Sequence, residues 1–363
     1  MVHQTDFCIL GAGLAGLSLA DALQEQNFSV IVVDKNTVAA GASGTPGGLV
    51  NPATGRRGVK SWKAELCYET IAQNLEKVQG SSPETFYLNN GLLRPALLKK
   101  MARKMKEQYE KTSWAEGWCE WKTEGEIKEI HPNIKCVDGG YWLPVGLSVN
   151  IEKYLNAYAN YLENRGVKSF FNQEPKVIND KKSWKLESGD VTINSKNLVF
   201  ATGHSTGDSP FWNWLPLHLI KGQVAKFKTN GSPLSFSHSI SSLGYIALTG
   251  EKDTFIQGST YEHDFTDLNP NNEGEAYLRK RMRRTLPQLE ERATVIEQWA
   301  GVRTSTPNRK PILGRHPNHK NLHLFTGLGS KGLLYSKFLA NHYLEHLTDG
   351  AVLFPEINIS RLL

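Results

Sequence analysis

Three glycines in a G-x-G-x-x-G pattern stand near the start of the 363-residue chain, at Gly11, Gly13 and Gly16. The first permits a tight turn, the second lets a pyrophosphate approach the backbone, and the third lets a helix lie close to a sheet. A helix beginning here, at Leu14 and Ala15, would direct its unpaired N–H groups at an anion. The spacing therefore predicts a dinucleotide site.

The flanking residues predict the elements that such a site requires. The apolar run at 6–10 indicates a buried strand, the leucines that follow the glycines indicate a helix, and 28–33 (FSVIVV) indicates a second strand. Asp34, at the end of that strand, can accept hydrogen bonds from ribose hydroxyls, and its charge would repel the 2′-phosphate of NADP. Lys35 belongs to the same predicted contact. FAD and NAD both fit this unit.

A segment of small residues at 39–52 (AAGASGTPGGLVNP) follows the second strand. Its glycines let backbone N–H groups approach a ligand, and its serine hydroxyl can contact a phosphate. A cofactor that extends across the sheet needs this second surface, which NAD folds usually lack, so the segment favours FAD. The predicted contacts are Ala42, Ser43, Gly44, Gly47 and Gly48.

The composition is that of an ordinary globular protein. Hydrophobic residues make up 39% and charged residues 21% of the chain, which excludes disordered and fibrous classes. The length suggests roughly two domains. With 42 basic and 36 acidic residues the net charge is +6, which permits an anionic substrate or an RNA partner without requiring one.

No apolar run reaches the ~18 residues of a membrane helix. The first seven residues contain Asp6 and neither lysine nor arginine, unlike a secretory leader. The cysteines show neither close pairing nor zinc spacing, so we expect reduced thiols and a cytoplasmic location. They are Cys8, Cys67, Cys119 and Cys136.

Taken in order, the motifs resemble those of the FAD-dependent D-amino-acid oxidase superfamily, which includes glycine oxidase and sarcosine oxidase. Besides the glycine motif and Asp34, the similar segments are 42–48 (ASGTPGG), 197–203 (NLVFATG), 220–224 (IKGQV), 257–262 (QGSTYE), 299–314 (WAGVRTSTPNRKPILG) and 327–332 (GLGSKG). The resemblance spans nearly the whole chain and implies bound FAD. Its further implied contacts are Val177, Ala201, Thr202, Gly203, Gly301, Arg303, Gly327, Gly329, Ser330, Lys331 and Gly332.

Two departures from the family pattern are visible. Asn308 stands where many members have aspartate. No cysteine lies near the final glycine turn, where sarcosine-oxidase relatives attach the flavin covalently, so we predict noncovalent FAD.

The resemblance also implies three catalytic residues. Arg303 matches the arginine that holds the substrate carboxylate in glycine-oxidase-like members, a task that suits the bidentate guanidinium. Lys331 matches a position that is often arginine. Lysine keeps the positive charge there but lacks the paired N–H donors of a guanidinium. Tyr245 follows Gly244 where relatives place an aromatic residue above the flavin. A structural salt bridge for Arg303 and core packing for Tyr245 are the alternatives.

The predicted fold is α/β with an antiparallel sheet domain: a Rossmann-like, glutathione-reductase-like FAD-binding domain and a discontinuous substrate domain. The FAD domain is expected at 1–85, 145–210 and 300–363, and the substrate domain at 86–144 and 211–299. Within them we expect strands at 176–178, 244–247 and 253–258, and helices at 149–163 and 333–347.

Two functions fit these expectations. The first is oxidation of a C–N bond in a carboxylate-bearing amine, such as glycine, sarcosine or a D-amino acid, by hydride transfer to flavin N5 and imine hydrolysis. Oxygen or another acceptor would reoxidise the flavin.

The alternative is removal of a carboxymethyl group from a tRNA uridine, because the FAD domain of the wobble-uridine tRNA enzyme MnmC belongs to this superfamily. Basic clusters at 99–106, at 279–284 and at Arg56, Arg57, Lys60 and Lys63 would suit RNA phosphates. The modest net charge favours solvated helix faces instead, so tRNA is not the preferred partner. No DNA partner is predicted, and a redox-inert flavoprotein that binds a partner is a third, less favoured alternative.

Overall fold

The computed structural model describes residues 1–180 and 183–363. In chain order its strands are β1 (Val2–Leu10), β2 (Val30–Val33), β3 (Gly48–Val50), β4 (Ala53–Thr54), β5 (Val59–Lys60), β6 (Tyr87–Asn89), β7 (Leu92–Pro95), β8 (Glu120–Lys122), β9 (Gly140–Leu143), β10 (Leu147–Val149), β11 (Lys168–Phe170), β12 (Lys176–Asp180), β13 (Ser183–Ser188), β14 (Val191–Phe200), β15 (His218–Thr229), β16 (Ser239–Ser241), β17 (Tyr245–Leu248), β18 (Thr254–Gly258), β19 (Ala293–Ser305), β20 (Ile312–His316) and β21 (His319–Thr326).

The α-helices include both long amphipathic helices and short connecting ones. They are α1 (Leu14–Glu25), α2 (Ala64–Gln79), α3 (Lys99–Glu110), α4 (Glu124–Ile130), α5 (Ile151–Asn164), α6 (Asn272–Thr285), α7 (Pro287–Glu291) and α8 (Gly332–Thr348).

The first sheet carries the glycine motif. Its strands β11, β2, β1, β14 and β21 pair in parallel, and β12, β13 and β20 add antiparallel pairs. One edge of β14 pairs with β1, while its other edge pairs first with β13 and then with β21. Parallel strands bring their carboxyl ends to one edge of a sheet, so the turns after β1 and β21 lie near each other. This is the predicted Rossmann-like unit.

The second sheet is almost entirely antiparallel. Its order is β19-β15-β18-β17-β16-β7-β9-β8, and every neighbouring pair is antiparallel except β16 and β7. β15 and β19 pair from His218–Ser305 to Thr229–Ala293, with one irregularity after Lys226. The domain boundary predicted at residue 300 falls inside β19, and the boundaries stay a prediction.

The elements expected from sequence are confirmed in type, with small shifts of their ends. The first strand extends back to Val2, the strands at 176–178, 244–247 and 253–258 are β12, β17 and β18, and the two predicted helices are α5 and α8. The described residues contain no helix that is long and apolar enough to cross a membrane.

A buried carboxylate joins the helices beneath the first sheet. Asp21 of α1 is fully buried and lies 2.7 Å from Lys77 Nζ of α2 and 2.5 Å from Lys337 Nζ of α8. Tyr158 of α5 donates a hydrogen bond to the same carboxylate at 2.7 Å. Burial by itself raises the pKa of Asp21, but the two ammonium groups lower it below its ordinary value. The network fixes α1, and so its N-terminus, relative to the other helices.

Candidate active site

The turn between β1 and α1 has the geometry that the glycine spacing predicts. Gly11 has φ of +113° and donates its N–H to the Val33 carbonyl at 2.8 Å. A Cβ at Gly16 would lie 1.8 Å from the Gly11 carbonyl oxygen, so only glycine fits this helix against the turn. Gly13, the N-cap residue of α1, is extended and has no side chain that could cap the helix. The N-cap residue therefore leaves the first N–H groups of α1 without an acceptor from its own side chain.

Two side chains support this turn. Ser43 Oγ accepts a hydrogen bond from Leu14 N at 3.2 Å, which brings the small-residue segment against the helix N-terminus. The Asp34 carboxylate accepts one hydrogen bond from Ala12 N and one from Asn36 N, each at 2.8 Å. Each carboxylate oxygen keeps a further lone pair for a ligand hydroxyl.

A cleft of about 490 Å³ lies beside the turn. The predicted residues that line it are Gly13, Leu14, Ala15, Ala42, Ser43, Gly47, Gly48, Ala201, Gly203, Tyr245, Gly301, Arg303, Gly327, Gly329, Ser330, Lys331 and Gly332. Those outside its lining are Gly11, Gly16, Asp34, Lys35, Gly44, Val177 and Thr202. Gly11 and Gly16 pack beneath the turn. Val177 contacts the apolar core on one side of the first sheet.

The last helix also begins at the cleft. After β21 the chain turns through Gly327 and Gly329, both at positive φ, and enters α8 without a side-chain cap. Lys331 lies in this turn, and burial together with the nearby charge of Arg309 lowers the pKa of its ammonium. The positive end of the helix and a lysine that is easier to deprotonate therefore face the same space.

Arg303 lies at the opposite wall, on β19. Its guanidinium donates to Ser259 Oγ at 2.7 Å and to the Thr260 carbonyl at 3.3 Å, and lies 4.8 Å from the Tyr261 ring centroid. Among residues 1–180 and 183–363, no carboxylate forms an ion pair with it. The structure therefore shows no salt bridge of the kind that the alternative for Arg303 requires.

Tyr245 is the first residue of β17 in the second sheet. Its hydroxyl donates to the Gly47 carbonyl at 2.8 Å, and a Cβ at Gly258 would meet its ring. Burial raises the pKa of Tyr245 to about 12, against a smaller opposite effect of the Arg303 charge. The phenol is therefore neutral, and its hydrogen bond joins the small-residue segment to the second sheet.

The lining also contains residues that were not predicted from the sequence, among them Ser259, Tyr261 and Arg94. Ser259 and Tyr261 lie within the quoted QGSTYE segment, where the resemblance has glycine and an unspecified residue. Arg94, on β7, is buried without an acidic partner among the described residues and donates to the carbonyls of Ala53 and Gly55. Burial lowers the pKa of Arg94 to about 10. The one sequence feature that could have identified Arg94 is its position, as a charged residue, in an otherwise apolar strand (LLRP).

The comparisons with known proteins agree with this geometry. A family model described as FAD dependent oxidoreductase (DAO) matches residues 6–343. The chain belongs to this family. It is 24% identical over 392 residues to the tRNA 5-methylaminomethyl-2-thiouridine biosynthesis bifunctional protein MnmC of Leptospira interrogans (serogroup Icterohaemorrhagiae, serovar copenhageni, strain Fiocruz L1-130), with 94% of this chain and 57% of that protein covered. The chain thus spans little more than half of that relative.

Two further similarities are to glycine oxidases. The chain is 25% identical over 350 residues to glycine oxidase of Pseudomonas aeruginosa, with 90% of each chain covered. The crystal structure of glycine oxidase from Geobacillus kaustophilus superposes with a TM-score of 0.85 at 21% identity, covering 97% of this chain and 96% of that one. That structural likeness establishes the fold of this family member.

The cleft fits the FAD cofactor of the family. No carboxylate belongs to the lining in the described part of the chain, whereas five cations do: Arg56, Arg94, Arg281, Arg303 and Lys331. Two uncapped helix N-termini, of α1 and α8, border it. Both features suit an anionic pyrophosphate and a flavin ring that gains negative charge on reduction.

The cysteines do not reach this cleft. All four are buried and unpaired, and none lines it. The described residues contain no cluster of metal-ligating side chains. Noncovalent attachment of FAD stays a prediction that this placement favours.

Proposed function

We propose that the protein oxidises a C–N bond of a carboxylate-bearing amine, with Arg303 holding the carboxylate. The observation that carries the proposal is the unpaired guanidinium in the cleft. A guanidinium has five N–H donors, and the structure gives it two acceptors, Ser259 Oγ and the Thr260 carbonyl. The remaining donors suit a bidentate carboxylate, which would also neutralise the charge.

The lining favours an amine that binds uncharged. All ionised groups there are cations, and nearby like charge lowers the pKa of a bound ammonium. A neutral amine is the form that can release a hydride from its adjacent carbon. The residues thus hold the carboxylate and disfavour protonation of the nitrogen beside it.

Bound FAD would supply the oxidant, a ring that can take up one hydride, and with it two electrons, from the carbon beside the nitrogen. The C–H bond of the substrate breaks, the C–N bond becomes an imine, and water hydrolyses the imine to an amine and a carbonyl compound. Lys331 and the N-terminus of α8 would stabilise negative charge that develops beside them. Oxygen or another electron acceptor would then reoxidise the flavin. The four cysteines without disulfides favour a cytoplasmic location.

A second candidate is the same reaction on tRNA. The Leptospira relative is named for tRNA 5-methylaminomethyl-2-thiouridine biosynthesis. A carboxymethylaminomethyl group is an N-substituted glycine that Arg303 could hold equally well. The observation that favours this candidate is a second cavity, lined by basic residues, that shares Arg56 and Arg281 with the cleft.

Anaerobic bleaching of the visible flavin band tests both candidates. One series adds glycine, sarcosine, proline and a panel of D-amino acids, and the other adds tRNA that carries carboxymethylaminomethyl-uridine. Bleaching by a small amino acid supports the first candidate, and bleaching by the modified tRNA alone supports the second. If neither bleaches a flavin that dithionite reduces, the proposed C–N oxidation is wrong.

A further inference from the structure

We propose that the second cavity is a docking groove for the phosphate backbone of an RNA, which would present a pendant amine to the cleft. The cavity measures about 610 Å³ and is called the basic groove below. Its residues are Arg56, Arg57, Lys100, Lys104, Lys280, Arg281 and Arg284, together with Leu98, Met101, Leu243 and Tyr277. The inference rests on the proposed function only for the identity of the reacting group.

The charges on α6 are sorted between two faces. Arg279 and Arg283 lie one turn apart, and both contact the buried carboxylate of Glu290, with shortest distances of 3.5 and 2.8 Å. Lys280 and Arg284 lie one turn apart on the groove side, and both are exposed. Neither has an ion pair within the described chain. The groove face of α6 therefore carries free positive charge, while the other face is neutralised.

A second pair of cations stands on α3. Arg103 lies 3.7 Å from Glu107 on the same helix. Lys100 and Lys104, again one turn apart, line the groove and have no acidic partner in the part of the chain that the structure describes. Two helices from distant parts of the sequence thus each place two cations that lack an acidic partner in the described chain along the groove.

The basic side chains that line this groove repel one another unless an anion lies between them. Its seven basic residues face one another without one acidic residue among the described lining, whereas an ordinary solvated surface mixes both signs. A ligand with several regularly placed negative charges would compensate them together. A phosphodiester backbone has that property, and neutralising it releases counterions.

The groove and the cleft form one path. Arg56, Leu243 and Arg281 line both. Arg281 is held there by hydrogen bonds to the Leu243 carbonyl and the Tyr277 hydroxyl, and its guanidinium lies 4.4 Å from the Tyr277 ring centroid. A polymer bound in the groove would therefore have its side groups within reach of the cleft.

An exposed aromatic ring supports RNA over other polyanions. Tyr261 lines the cleft, is 56% exposed, and lies against the Arg303 guanidinium. Unstacked RNA bases pack on such aromatic and guanidinium planes, and single-stranded RNA loops supply them. A lipid bilayer is flat and would not enter a concave groove beside the cleft.

The test measures binding of the FAD-loaded enzyme to fluorescein-labelled, unmodified tRNA by anisotropy, across 50–400 mM salt. Pairs of substitutions, Lys100→Glu with Lys104→Glu and Lys280→Glu with Arg284→Glu, reverse charge on each wall. The control is Lys168→Glu with Lys320→Glu, which makes the same charge change at exposed lysines outside the groove. The flavin spectrum and the thermal midpoint report folding, and the corresponding glutamine pairs, Lys100→Gln with Lys104→Gln or Lys280→Gln with Arg284→Gln, replace any glutamate pair that fails to fold.

Each groove pair should weaken binding at least tenfold and make the salt slope shallower by about 1.4, since two phosphate contacts at about 0.7 each are lost. The control pair should stay within twofold of the parent. Absence of tRNA binding at 50 mM salt, or equal loss in the control, would overturn the inference. Equal competition by poly-glutamate or anionic vesicles would overturn the choice of RNA.

The outcome is separable from that of the proposed function. The groove pairs should keep flavin bleaching by a small carboxylated amine, and the groove pairs should weaken tRNA binding by the same factor in an Arg303→Ala background. If tRNA binding depends on the groove but no carboxylated amine bleaches the flavin, the docking inference holds and the proposed reaction is wrong. If a carboxylated amine bleaches the flavin but tRNA binding does not depend on the groove, the proposed reaction holds and the docking inference is wrong.

Discussion

The Arg303 guanidinium on β19 donates a 2.7 Å hydrogen bond to the hydroxyl of Ser259, which follows the end of β18. The two residues are 44 positions apart, and β15 lies between their strands in the sheet. Tyr261 packs on the same guanidinium. The orientation of the arginine is therefore set by the segment that ends β18, and not by an acidic partner among the described residues.

Arg303→Ala should raise KM for the best carboxylated amine about 10- to 150-fold, because a charge-assisted hydrogen-bond pair contributes about 1.5–3 kcal/mol. Arg303→Lys keeps the positive charge and loses the paired N–H donors, so its KM should lie between those of the parent and the alanine variant. Steady-state kinetics with equal FAD content in all three proteins provides the measurement. Unchanged KM in Arg303→Ala would refute the carboxylate role.

Ser259→Ala should have a smaller effect than Arg303→Ala, because it removes one acceptor that orients the guanidinium and leaves the charge in place. We expect KM to rise about 3- to 10-fold, in keeping with the ~1 kcal/mol of an ordinary hydrogen bond, with kcat changed less. Ser259→Thr, which retains a hydroxyl, is the matched control. An alanine variant identical to the parent would show that Thr260 and Tyr261 suffice.

Lys331→Met should make the bound flavin harder to reduce. The substitution removes a positive charge from the turn before α8, and a loss of about 1–2 kcal/mol corresponds to a decrease of roughly 20–45 mV in a two-electron midpoint potential. Lys331→Arg should restore most of the potential. Spectroelectrochemical titration of the three proteins measures it, and an unchanged potential in Lys331→Met would place the ammonium away from the reduced ring.

Stability should decrease on acidification because of a buried histidine pair. His131 and His238 lie with ring centroids 5.6 Å apart, and burial lowers the pKa of each to about 4. The unfolded chain, with histidine pKa near 6.5, binds more protons between these values, so stability is complete above about pH 6.5 and falls toward pH 4.

The two histidine-to-phenylalanine variants should reduce this slope. Each imidazole ring contributes on the order of 1–3 kcal/mol to the difference in the free energy of unfolding between pH 7 and pH 4. Urea unfolding at pH 7, 5.5 and 4.5, with His3→Phe as the control at a partly exposed histidine, measures the effect. Slopes that match the parent in both variants would exclude the pair as its source.

The sequence by itself determined the cofactor end of the site. Gly11, Gly13, Gly16 and Asp34 act through a turn, a helix start and the next strand, all within 24 residues. Backbone conformation and hydrogen bonding over so short a segment follow from local residue types. The same reason explains why β2, α5 and α8 were predicted within two residues of their ends, whereas β1 begins four residues before its predicted start.

The tertiary structure alone decided what surrounds the reacting groups. The sequence showed three basic clusters, and solvated helix faces explained them adequately; only the fold shows that Arg279 and Arg283 are neutralised by Glu290 while Lys280 and Arg284 face α3 across a groove. Likewise, nothing local indicates that Ser259 orients Arg303. Charge pairing and side-chain orientation depend on which distant strands and helices become neighbours, and that information is spread over the whole chain.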